Sequence, residues 1–176
     1  MDERLDLYRR ASEWTGARVA GAADALEAPT PCDDWDVRAL LNHMIETQRF
    51  FVGSARGEEV SLPSANPPDV IGDDPYAAFE ATRREVLEVF GRPGVVDKTG
   101  PLLGIAFADM LLHGWDLARA TEQDSTMPDG LAAAAYSTIH GRFSDEQRIG
   151  VFKPAIDVAA DASEQDELLA YTGRAP

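Results

Sequence analysis

The sequence predicts an all-α fold, an antiparallel four-helix bundle with extra short helices and a long loop after the second helix. Three observations carry this expectation. Apolar residues recur at helical spacing through most of the chain, prolines and glycines punctuate it between those stretches, and some of the connections are short. A chain of 176 residues with 44% hydrophobic residues is long and apolar enough to bury the core of one domain, so residues 1–176 are expected to form a single unit.

Leu5, Tyr8, Ser12, Thr15, Val19, Ala22 and Leu26 step by threes and fours, which predicts a first helix over about residues 3–27, ended by Pro29 and Pro31. Asp36 then stands where an N-cap belongs, and Val37, Leu40, Leu41, Met44, Gln48 and Phe51 mark the buried stripe of a second helix. Residues 57–74, with Pro63, Pro67, Pro68 and Gly72, keep no sustained period and predict a long loop of the kind that serves as a lid or a wrap. Asp74-Pro75 opens a third helix, with proline at its first position and Tyr76, Phe79, Val86 and Phe90 as its stripe. Val95 and Val96, ahead of the Gly100-Pro101 turn, suggest a short extended piece within 95–104. A fourth helix follows over about Ile105–Thr121 and a fifth over Leu131–Phe143. The tail shows an Ile156/Val158 alternation and a last helical turn around Glu164–Tyr171.

Composition narrows the function classes. The 31 acidic against 16 basic side chains leave a formal net charge of −15. Sequence-independent binding to nucleic acid or to anionic lipid, which needs clustered Lys and Arg, is therefore not expected. No apolar run reaches the length of a membrane span, and the start of the chain is acidic and amphipathic, unlike a signal peptide. A lone cysteine has no partner for an internal disulfide and fits a reducing cytoplasm.

The fourth helix is apolar nearly all round, which places it at the centre of the domain. Yet Asp109, His113 and Asp116 fall within ~60° of one another on it at about 100° per residue. Burying these groups alone is costly, so they must be paired, solvated in a cavity or bound to a metal. Asp109 and His113 have the i, i+4 spacing that aims two side chains at one ion. A third donor must come from elsewhere, and the chain offers only two further histidines, His43 and His140. On pattern alone, a hydrogen-bonded core histidine remains the commoner reading of such a pair.

Two longer motifs go further. Thr30-Pro31-Cys32-Asp33-Asp34-Trp35-Asp36-Val37-Arg38-Ala39-Leu40-Leu41-Asn42-His43 and Ala108-Asp109-Met110-Leu111-Leu112-His113-Gly114-Trp115-Asp116-Leu117-Ala118-Arg119-Ala120 resemble the "TPCxxWxVRxLLNH" and "HGWDLARATG" signatures of a bacterial family of metal-binding proteins. Gly173-Arg174-Ala175-Pro176 is similar to its closing "GRDP". The family lies in the DinB-like superfamily of four-helix bundles and includes the N-terminal domain of mycothiol-dependent maleylpyruvate isomerase. Glu122 in place of glycine and Ala175 in place of an acid depart from the pattern at its periphery.

The resemblance implies a divalent metal, zinc or else nickel, held by His43, Asp109 and His113. It also implies mycothiol as a thiol cosubstrate. His140 matches no ligand position and is expected to be a core or surface histidine. Three protein ligands leave a fourth position open, as in catalytic rather than structural zinc sites. The leading expectation is a thiol-dependent transferase or isomerase-like enzyme in which the metal activates a thiol for attack on a small electrophile. A non-catalytic metal-binding or sensing module and a small metal-dependent hydrolase are the alternatives. A hydrolase is disfavoured because no glutamate stands beside the ligands in an HExxH-like arrangement. A further reading is purely structural, with a buried His–Asp network and a second copy of the chain as partner.

The family's isomerases carry a second domain that helps form the substrate site, so activity on maleylpyruvate is not implied for this sequence. The negative field also disfavours capture of such a dianion and points to a neutral electrophile. Asp116 is expected either to orient a ligand imidazole or to pair with Arg119, two readings of equal weight. Trp35 and Trp115 are expected in the core and Cys32 as a small buried residue, while Arg174 could fold over the site mouth.

Overall fold

The computed structural model describes residues 2–148 and 151–176. It is all-helical, with no strand among these residues. The first helix, α1, covers Glu3–Ala20, with the Asp2 carboxylate accepting from Arg4 N at 2.9 Å. It ends seven residues earlier than the apolar period suggests, and a short 3₁₀ turn follows at Ala23–Ala25. The reason is distant in sequence. Gln123 Nε2 donates to the Arg18 carbonyl at 2.9 Å, and its Oε1 lies 2.6 Å from where a Cβ on Gly21 would stand. Gln123 thus caps the helix end, and only a residue without a side chain fits beneath it.

Helix α2, Val37–Arg56, begins as expected at Asp36, whose carboxylate accepts from Ala39 N at 2.8 Å. It closes on Gly57 at φ 77°, in the left-handed region that glycine tolerates. Helix α3, Pro75–Phe90, is capped by Asp74 and starts on proline. Phe79, Val86 and Phe90 are buried as the stripe requires, whereas Tyr76 faces solvent. The extended piece expected near residue 95 is instead one helical turn, α4 (Val95–Lys98). Gly94 at φ 78° turns the chain into it, and the turn delivers Val96 to the core. Burial of one valine outweighs the local β preference of the pair.

Helix α5, Leu102–Ala120, starts three residues before the expected Ile105 and buries Leu103 with the rest of its stripe. Helix α6, Leu131–Ile139, is shorter than expected, because His140 turns extended and Gly141 takes φ 70°. After α7 (Asp145–Arg148), the Ile156/Val158 segment forms no strand; Ile156 N donates to Ala170 O while both side chains stay exposed. Helix α8, Glu164–Tyr171, is capped by Ser163.

The four long helices meet in a closed cycle: α1 touches α3 and α5, and α2 touches the same two. Helix α6 packs on the far side of α5 and against α8. Thus α5 is enclosed by α1, α2 and α6, which explains why its sequence is apolar nearly all round. The approach of α1 to α5 is closest at Gly114, where an added Cβ would strike Thr15 Oγ1 and come within 2.7 Å of Trp14. The long loop is a wrap. Asn42 Oδ1 accepts from Val70 N at 2.6 Å and Ile71 N at 3.0 Å, and Ile71 is buried. Among the described residues, no helix is long and apolar enough to cross a membrane.

Candidate metal centre

Helix α2 presents His43 and helix α5 presents Asp109 and His113, and the contact between the two helices brings these side chains together. One donor atom from each lies within 4.8 Å of the others. His113 Nε2 is 3.5 Å from Asp109 Oδ1, close to the ~3.4 Å edge of a tetrahedron with metal–ligand bonds of about 2.1 Å. The two imidazole rings meet edge to face at 5.0 Å. His43 Nε2 is 3.3 Å from Thr47 Oγ1, while its Nδ1 is buried without any hydrogen-bond partner. Buried ring nitrogens are rarely left orphaned, and a histidine with one, grouped with a second imidazole and a carboxylate, suits a cation. The donor set therefore fits a divalent metal.

Without a metal one imidazole is neutral and the other charged, so a metal would have to displace the His113 Nε2 proton. Burial, reinforced by the neighbouring His113 charge, lowers the His43 pKa to about 4, so His43 is neutral at pH 7 with a lone pair to offer. For His113, burial acts downward but is outweighed by Asp109 and Asp116, which raise its pKa well above the usual value. For Asp109, burial acts upward and is outweighed mainly by His113, leaving the carboxylate ionised.

Asp116, fully buried on α5, organises the far side of His113. Its Oδ2 is 3.0 Å from His113 Nδ1, which assigns the proton to Nδ1 and turns Nε2 toward Asp109 and His43. Arg174 grips the same carboxylate twice, Nε to Oδ1 at 2.8 Å and Nη2 to Oδ2 at 2.7 Å. Burial would raise the Asp116 pKa, but the guanidinium and the imidazole hold it far below the ordinary carboxylate range. Orientation of an imidazole by Asp116 is what one of the two sequence readings expects. The alternative partner, Arg119, lies instead over the Trp115 ring.

Two other expectations change. Cys32 is not merely a small buried residue: its thiol donates to Asp116 Oδ2 at 3.1 Å, and its sulfur is 3.9 Å from His113 Nδ1. Trp35 is not in the core but half-buried at the site, its ring 4.5 Å from the His43 ring and its Nε1 donating to Ala65 O at 2.9 Å. Arg174 does fold onto the site. Trp115 is buried as expected, and His140 is exposed, stacked on Tyr136 away from the centre.

Cys32, His113 and Asp116 form a second group of donors close enough to share a cation. Both Asp116 oxygens are already held by the Arg174 guanidinium, whose positive charge repels a metal there. Of the two groups found among the described residues, the one with His43 and Asp109 contains no donor bonded to the guanidinium.

A family model described as the mycothiol maleylpyruvate isomerase N-terminal domain matches residues 8–118, which include His43, Asp109, His113 and Asp116. The chain belongs to this family. Two similar relatives are the uncharacterized protein MT0763 of Mycobacterium tuberculosis (strain CDC 1551 / Oshkosh) and the uncharacterized protein Rv0738 of M. tuberculosis (strain ATCC 25618 / H37Rv). Each is 29% identical over 186 residues, covering 97% of this chain and 97% of the relative. No solved structure matches the chain. Within the isomerase N-terminal domain family match lie the three donors and Asp116; Arg174 lies beyond it.

Proposed function

We propose that this protein binds a divalent metal, zinc in the first place, through His43, Asp109 and His113 and acts as a thiol-dependent transferase or isomerase-like enzyme on a small electrophile. The observation that carries the metal reading is the grouping of one donor atom each from His43, Asp109 and His113 within 4.8 Å of one another. The family supports mycothiol as the thiol, and the family's DinB-like superfamily supports an antiparallel arrangement of the four-helix cycle.

Each side chain has a stated task. Neutral His43 offers a lone pair; Asp109 supplies the negative charge; His113, its Nδ1–H donated to Asp116, offers Nε2. Asp116 keeps that imidazole in one tautomer, and Arg174 holds Asp116. Trp35 packs against the His43 ring, its centroid 4.5 Å away. A divalent ion held by these residues would lower the pKa of a bound thiol or water. Two neutral imidazoles and one carboxylate balance such an ion to near zero charge once a thiolate is present.

Metal analysis of protein purified without a histidine tag tests the first half, with about one equivalent expected after reconstitution. Less than about a tenth of an equivalent would sink the metal reading and favour a structural His–Asp network. Conjugation of mycothiol to a panel of small electrophiles tests the second half. A metal-loaded protein without turnover would favour a non-catalytic binding or sensing module, whereas thiol-independent ester or amide cleavage would favour a hydrolase.

A further inference from the structure

Beside Asp109 and His113 lies a cavity of about 80 Å³, and the composition of its wall differs by side. Asp109, His113 and Arg174 form its polar end. The remainder is apolar, with Ile105 and Leu112 from α5, Ile139 from α6, and Phe143 and Phe152 from the segment that follows. We infer that this cavity seats a short, uncharged apolar group of the electrophilic substrate. As an assignment of substrate class, the inference rests on the thiol-dependent reading above.

Size and charge both point this way. The cavity is roughly half the ~150 Å³ space that accommodates benzene in an apolar core, which suits a chain of about three or four carbons and excludes a fused ring. A substrate carboxylate would need a free cation at the polar end. Arg174 is the cation there, and its charge is matched by the two hydrogen bonds to Asp116. Asp109 adds a negative charge on the same wall, and a divalent ion held there would be offset by Asp109 and the thiolate, so an anionic tail would find no uncompensated cation. The apolar wall offers instead the transfer free energy of each methylene, about 0.8 kcal/mol or fourfold in affinity.

Amide NMR titrations of the zinc-loaded and metal-free protein with straight-chain alcohols, and with butyrate as the charged comparison, test this. Ethanol, 1-propanol and 1-butanol should shift the amides of Ile105, Leu112 and Ile139, tightening about fourfold per methylene and levelling by 1-hexanol. In the metal-free protein, where no open metal position can take a carboxylate, butyrate should bind at least tenfold more weakly than 1-butanol. In the Ile105→Phe variant, which narrows the cavity, 1-butanol should lose at least fivefold. Phe143→Ala, which widens it, should move the levelling point to longer chains. Butyrate binding the metal-free protein as tightly as 1-butanol, no movement of these amides with any alcohol, or an unchanged chain-length profile in both variants would each overturn the inference. Failure of the thiol reading has a separate signature. A cobalt-substituted protein without a thiolate charge-transfer band, but with these amide shifts, keeps the pocket and loses the thiol. A band without the shifts does the reverse.

Discussion

Arg174 and Asp116 are joined by two parallel hydrogen bonds of 2.8 and 2.7 Å, although 58 residues separate them. The carboxylate side chain is wholly buried and the guanidinium nearly so. Removing one partner leaves the other charge buried alone, which costs about 3–5 kcal/mol. Arg174→Ala is therefore expected to destabilise the protein by an amount of that order, read from urea unfolding midpoints at constant m. Arg174→Leu together with Asp116→Leu should cost less than the sum of the single changes, because neither the guanidinium nor the carboxylate is left buried without the other, although His113 Nδ1 still loses its acceptor. A double variant as unstable as the sum of the singles would contradict the pairing.

The same carboxylate fixes the His113 ring, so Asp116→Asn should weaken metal binding by about 10–100-fold while leaving the ligands in place. Titration with a competing chelator measures this. Weakening beyond that range would place Asp116 among the ligands, and unchanged affinity would remove it from the site.

Ligand identity is separable from general damage. His113→Ala and His43→Ala should each abolish stoichiometric zinc binding, whereas His140→Ala, at an exposed ring stacked on Tyr136, should retain it. Equal loss in all three would refute the assignment. Excess zinc should also raise the melting temperature of the parent protein and leave the His113→Ala variant unmoved. At a hundred times the dissociation constant the linkage contribution is about 2.7 kcal/mol.

Helix contact sets a further constraint. Gly114 follows His113 directly, and its missing side chain is what lets α5 lie against Thr15 and Trp14 of α1. Gly114→Ala has to push the two helices apart, since the obstruction includes the β-branched Thr15 whose hydroxyl donates to Met110 O at 3.1 Å. Helix propensity favours alanine by up to about 1 kcal/mol. Overpacking of about 1–3 kcal/mol acts against it. A net loss of stability is expected in chemical denaturation, and a gain would show that the contact is looser than the geometry states.

What could be read in the sequence was whatever repeats at short range. The i, i+4 pair Asp109/His113, the cap at Asp36 and the proline that opens α3 all follow from local spacing, and the motif around His43 supplied the third donor. The parts that escaped reading depend on contacts between distant segments. Gln123 ends α1 from more than a hundred residues away, Cys32 meets Asp116 across 84 residues, and Arg174, foreseen at the site mouth, finds its Asp116 partner across 58. No periodicity encodes such meetings. Trp35 looked like core because tryptophan is usually buried; its position is set by Ala65 in the wrap, which no local pattern names. Val95 and Val96 erred in the other direction, since local β preference there yields to the burial of a single side chain.

The wrap itself gives the last prediction. Asn42 stands one residue before His43, and its Oδ1 receives both Val70 N and Ile71 N. Trp35 ties the same loop to the His43 ring by donating to Ala65 O and facing the imidazole at 4.5 Å. Asn42→Ala removes the shared acceptor and leaves two backbone donors to find water, at a cost of about 1–3 kcal/mol. Hydrogen exchange at Val70 and Ile71 should accelerate by at least tenfold, while exchange in the middle of α5 changes only in step with global stability. Because Trp35 leans on both the loop and the imidazole, loosening the wrap should also shift its fluorescence toward that of a solvated indole. Protection at residues 70 and 71 that survives the substitution would mean that burial of Ile71, rather than the Asn42 bonds, holds the loop against the site.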